Sequence, residues 1–146
     1  MGEDALSESM ILSEETMPIE IRWLRPNHIL ISRWYGQVTC QDMLILTEEL
    51  MRILDNAQGL VHTLLDMSEA ESYEEGMAEL YVNSPVAQHA NRGRLAVVCM
   101  PQNLWPMVEK ANRLAGRTIL PLFDDYQMAQ QFLLSNEAPP TRPSHS

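Results

Sequence analysis

Residues 19–39, IEIRWLRPNHILISRWYGQVT, decide how the chain begins to fold. Ile19, Ile21 and Trp23 alternate with Glu20 and Arg22, the period-two pattern of a half-buried strand. Pro26 and Asn27 take the central places of a turn, because one presets its backbone and the other tolerates a reversal. ILISRWYG then returns to β-branched and aromatic residues, so the two runs form an antiparallel hairpin. Thr39 and Asp42 make a capping-box-like helix start, with Asp in the place of the usual Glu or Gln. The helix they open carries Met43, Leu46, Leu50, Ile53, Leu54 and Ala57 on one stripe, widened by Leu44 and Met51. Glu48 and Arg52 pair at i,i+4 on its outer side, and Gly59 stops it.

Strand and helix signals alternate from there on. LVHTLLDM, residues 60–67, is a near-continuous apolar run, as expected where both faces of a strand are covered. EEGMAELYV, 74–82, predicts a short helix with an acidic start, ended by Pro85. RLAVVCM, 94–100, is a second buried strand with Cys99 as a small apolar member. Pro106 suits a first helical turn, and Lys110, Arg113 and Arg117 suit the end of that helix near Gly116. TILPLF, 118–123, predicts an edge strand because Pro121 cannot donate to a ladder. Asp124 caps a last helix with Gln127 at the box position and Met128, Phe132 and Leu133 facing inward. The predicted architecture is α/β, a mixed sheet of about five strands in the order β-β-α-β-α-β-α-β-α with helices packed on it.

Composition narrows the class. At 146 residues, 45% hydrophobic and 21% charged, the chain is expected to be a soluble domain with a core of its own. No apolar run reaches membrane-spanning length, and the first residues lack the pattern of a signal peptide, which together predict a cytoplasmic protein. Residues 1–17, with Glu3, Asp4, Glu8, Glu14 and Glu15 and no base, read as a disordered acidic arm. Residues 135–146 read as a disordered, proline-rich tail, leaving 18–134 as the folded domain. A net charge of −10 opposes binding to nucleic acid.

The hairpin at 19–39, the helix from Thr39, the strand ending LLDMS and the closing DDYQMAQQFL resemble the STAS family. This family comprises SpoIIAA-like domains of anti-sigma-factor antagonists and sulfate-transporter tails, with looser kinship to the CRAL-TRIO lipid-binding fold. The resemblance spans about Ile19 to Leu134, with Ala129 and Leu133 in register in the final helix. It implies a regulatory interaction domain. In such antagonists a DSSG-like motif after the LDLS-like strand end supplies a phosphate-accepting serine. Aligned on Asp66 and Ser68, that motif falls on Glu74, Glu75, Gly76 and Met77, which offer no hydroxyl. Asp66, Ser68 and Ser72 are therefore the candidate switch loop, the serines reaching the acceptor position only after a loop shift. Glu74 and Glu75 read more simply as acids favouring a helix N-terminus.

No other pattern specifies chemistry. Cys40 and Cys99 predict neither a disulfide framework nor a metal knuckle, although Cys40 lies at a helix start, where a thiol can be acidified. The four histidines (His28, His62, His89, His145) have no ligand spacing, and neither His62 nor His89 is spaced to meet Asp66. Phosphate loops and a nucleophile elbow are absent, and NRGR, 91–94, reads as a solvated basic turn, with the holding of one anion as the lesser alternative. No catalytic, metal-binding or cofactor-binding residue is predicted. Trp105 beside Met100 and Met107, with Leu44 and Met51 on the first long helix, form the candidate interaction or ligand surface. The sequence thus predicts a non-enzymatic module binding a protein partner or a second copy of itself. The alternative is a carrier or sensor of a small apolar, lipid-like ligand, which needs a closed cavity of about 300 Å³ or more.

Overall fold

Strand order in space follows the chain. The protein, seen in a computed structural model, is described for residues 10–12 and 18–140. One mixed sheet runs β1 (Met10–Leu12), β2 (Ile19–Arg25), β3 (Ile29–Val38), β4 (Val61–Tyr73), β5 (Arg92–Val98) and β6 (Leu122–Phe123). β2 runs antiparallel to its neighbours β1 and β3, and β3 to β6 are parallel. Parallel neighbours need long crossovers. Here these carry α1 (Cys40–Asp55), α2 (Met77–Val82) and α3 (Trp105–Ala115), and α4 (Tyr126–Leu133) closes the chain. The predicted order is present, with β1 added before it. Met10–Leu12 lie within the stretch read as an acidic arm, pairing at residues Ile21 and Arg22. The rest of residues 1–17, and 141–146 of the tail, lie outside the described residues.

The hairpin turns at Asn27, whose φ of 66° Asn tolerates better than most side chains. Both faces of the sheet are covered, which explains the continuous apolar runs in β4 and β5. Leu30, Trp34, Leu65, Met67 and Val97 pack beneath α1, α2 and α3. Ile29, Ile31, Leu64, Ala96 and Val98 pack against Ala129, Phe132 and Leu133 of α4. Each fully buried Val, Leu, Ile, Phe or Met side chain among them contributes roughly 1.5–3 kcal/mol of burial energy.

Local signals explain the helix ends. At α1 the Thr39 hydroxyl accepts from the Asp42 N–H, and the Asp42 carboxylate accepts from the Thr39 N–H, a complete capping box. α2 differs from the predicted acidic start. It follows Gly76 at φ 97° and has no side-chain cap, while the Glu74 carboxylate accepts from the Cys40 N–H and so serves α1. α4 begins one residue later than Asp124 implies, because Asp125 is the cap and accepts from the Met128 N–H. One residue turns the stripe by about 100°, so Met128 faces solvent and Ala129 faces the core. β6 is the edge strand predicted from Pro121, whose carbonyl accepts from the Val97 N–H.

Candidate functional site

Strand parity creates the main polar cluster. Ile29, Ile31 and Arg33 point to the α4 side of β3, and Leu64 and Asp66 point to the same side of β4. Arg33 and Asp66 are register partners in the parallel ladder, so a guanidinium and a carboxylate meet inside an otherwise apolar face. Arg33 Nε donates to Asp66 Oδ2 at 2.9 Å, and Arg33 Nη2 donates to the Tyr126 hydroxyl at 3.2 Å. That hydroxyl donates in turn to Asp66 Oδ2. The other carboxylate oxygen accepts from the Ser68 N–H at 3.0 Å and the Ser68 hydroxyl at 2.7 Å. Asp66 is 2% exposed, and Arg33 carries the solvent-facing side of the cluster. Tyr126 stands in the first turn of α4, so the cluster ties two central strands to the helix that covers this face.

Burial by itself would push the Asp66 carboxyl up. Hydrogen bonds from Tyr126, from the Ser68 backbone and hydroxyl, and from Arg33 more than offset that and hold it below its ordinary 3.8. The Tyr126 hydroxyl is pushed up, by burial first and then by the carboxylate it serves. Arg33 is held charged chiefly through its bond to Tyr126. No member is poised to exchange a proton near neutrality, as general acid–base catalysis requires. The sign for stability follows. Folded Asp66 binds its proton less readily than the unfolded chain, so its contribution is fully present above pH 3.8 and is lost as pH falls through the depressed folded value. Acid titration of the parent and of Asp66→Asn is expected to show a steeper loss of stability below about pH 4 in the parent. Identical acid limbs would contradict this assignment.

The corner beyond Asp66 is strand, not loop. β4 continues to Tyr73, pairing with β3 as far as Val38. Glu69 and Glu71 face solvent, while Ala70 between them is buried. Ser68 is exposed and bonded to Asp66, and Ser72 lies half-buried within the same strand. Neither opens a helix.

Of the candidate surface, Met100 and Met107 are corrected to buried residues, 7% and 6% exposed. They line an apolar space of about 20 Å³ with Trp34 and Leu65, because the segment they flank folds back over β5. Trp105 is half-buried, its indole N–H donating to the Met100 carbonyl at 3.0 Å. Leu44 is 48% exposed, and Met51 is half-exposed on the same helix. A second apolar space, about 40 Å³, lies under α1 and borders Trp34, Leu50 and Tyr81. Both are well below the volume that an apolar ligand requires.

The cysteines are unpaired. Burial, then Glu74, pushes the Cys40 thiol up, the reverse of activation. Cys99 stands just past β5 at φ 58°, half-buried rather than in the core, its thiol donating to the Asp124 carbonyl at 3.2 Å. Among the described residues, no group of three or more His, Cys, Asp or Glu side chains could hold a metal ion, and no helix is long and apolar enough to cross a membrane. His62 Nδ1 accepts from the Arg94 N–H at 2.8 Å, and His89 Nε2 lies 2.8 Å from Asp55 Oδ1.

Comparison with known proteins supplies a fold. No family model matches the chain, and no curated protein matches it in sequence. A solved structure does match, an uncharacterized DUF3478-family protein from Shewanella loihica PV-4 described as having a SpoIIAA-like fold. It is 18% identical, covers 84% of this chain and 98% of its own, and superposes with a TM-score of 0.57. The fold is SpoIIAA-like. The hairpin entering a parallel sheet and the closing α4 are elements of that SpoIIAA-like arrangement as the sequence predicted it. Arg33 and Tyr126, which complete the Asp66 cluster, were not among the sequence-predicted residues. An arginine sharing strand parity with Ile29 and Ile31 is the signal for Arg33, since a guanidinium on an apolar face calls for an acidic partner, whereas no local signal marks Tyr126.

Proposed function

We propose that this chain is a non-enzymatic, STAS-like regulatory module that binds another protein or a second copy of itself and carries no phosphoserine switch. The observation that carries the reading is the closed strand-end corner. Asp66 has both carboxylate oxygens engaged by Arg33, Tyr126 and Ser68, and the start of α2 presents Gly76 in place of a hydroxyl. What this end of the fold offers is surface. Leu44 and Met51, seven residues apart and so on one side of α1, leave apolar area uncovered, with Glu48 exposed between them. Two free thiols fit a reducing compartment, which supports a cytoplasmic setting.

The test is a photo-crosslinking amino acid in place of Leu44 in the full chain, expressed in cells, with one in place of Leu114 as control. Leu114 is 51% exposed near the other end of α3. A discrete protein adduct at residue 44 and none at 114 is the expected result. Equal labelling at both positions, or none at 44, would refute a binding face on α1.

A further inference from the structure

At the opposite end of the sheet the charge reverses. A cleft of about 220 Å³ opens between the start of β5 and the segment leaving α3, and Arg92, Arg94 and Arg117 line it. These are three of the ten basic residues in a chain of net charge −10, and among the described residues no acidic side chain lines the cleft. Among the described residues no carboxylate forms an ion pair with any of them.

Two of these arginines are held by neutral partners. The Arg94 guanidinium lies 3.8 Å over the Phe132 ring and donates to the Ser135 and Glu137 carbonyls. Arg92 Nη1 donates to the Ala87 carbonyl at 3.4 Å. Carbonyls and rings orient a guanidinium without cancelling its charge. Gly116, at φ 74°, reverses the chain after α3 and brings Arg117 and Thr118 to the other wall.

The backbone adds a donor. Among the described residues β6 pairs with β5 only at Val97 and Val98, and no other strand pairs with the earlier part of β5 on that side. The Val97 N–H points to that side, to the Pro121 carbonyl, and the Arg94 N–H points to the other, to His62. By strand alternation the Leu95 N–H faces the cleft.

We propose that this cleft is a binding site for a small oxyanion, the phosphoryl or carboxylate group of a small molecule. The fork geometry of arginine suits either group, and the cleft is too small to seat a folded partner. The competing explanation is that the arginines only offset the negative ends of α3 and α4, which lie at the same end of the fold.

The experiment is a ¹H–¹⁵N NMR titration of the full chain with inorganic phosphate, and separately with citrate, at constant ionic strength. Saturable shifts confined to Arg94, Leu95, Arg117 and Thr118 are expected with at least one of the two anions, and the stronger binder names the class. Arg117→Gln, an exposed position, is expected to weaken binding about tenfold while leaving the rest of the spectrum in place. Arg94→Gln should do the same, with thermal unfolding recorded because it also releases Ser135 and Glu137. Shifts that grow linearly, or spread to His28, Arg52 and Arg113, would show a diffuse ion atmosphere and overturn the site. Unchanged affinity in Arg117→Gln would overturn it equally.

Discussion

Asp66→Ala is expected to lower the unfolding free energy by about 2–4 kcal/mol. The substitution removes the acceptor for Arg33, Tyr126 and Ser68 together and leaves a guanidinium against the Ile31 and Leu64 side of the sheet. Breaking a buried ion pair from one side costs about 3–5 kcal/mol in general. Here the Arg33 side chain retains 32% exposure and can turn toward water, which lowers the expected loss. Urea unfolding of parent and variant measures it. A change under about 1 kcal/mol would mean that the cluster is surface decoration, and the reading of a closed corner would fail with it.

Trp34→Ala is the second large effect, about 3–5 kcal/mol. Trp34 is 2% exposed and borders both apolar spaces beneath α1 to α3, so its loss joins them. Its indole N–H also donates to Ser32 Oγ at 2.9 Å, and Ser32, 1% exposed, would lose that partner. Added indole should recover part of the lost thermal stability by filling the enlarged space, as dry engineered cavities accept apolar guests. If the variant unfolds like the parent, Trp34 is not the packing centre that its burial implies.

Much of this fold was legible because its determinants are local. The capping box at Thr39 and Asp42 lies within four residues, and the alternation of β2 within seven. The candidate cluster was not legible in the same way. Arg33 is 33 residues from Asp66 and Tyr126 is 60, and no spacing rule joins them. Parity was available: Arg33 continues the buried series Ile29, Ile31, and Asp66 continues Leu64. The far half of β4 was hidden by composition, since Glu69 and Glu71 suggest an acidic approach to a helix. Yet Glu-Ala-Glu alternates as an edge-exposed strand does, with Ala70 inward. Met100 and Met107 looked like surface because they flank a loop tryptophan, and only the path of that segment over β5 places them inside.

Coverage of the sheet is unequal. Three helices lie on one face, whereas α4, eight residues long, covers the buried series of the other. Its detachment would bare Ile29, Ile31, Leu64, Ala96, Val98 and Phe123 at once while the opposite layer stayed folded. Such a partly opened state presents the flat apolar strands from which aggregation begins. The hydroxyl of Tyr126 thus has a kinetic consequence as well as an energetic one. By anchoring the first turn of α4 to Arg33 and Asp66 of the central strands, it makes peeling of that helix depend on breaking two hydrogen bonds to a charge pair, and losing the hydroxyl is expected to favour the aggregation-prone open state.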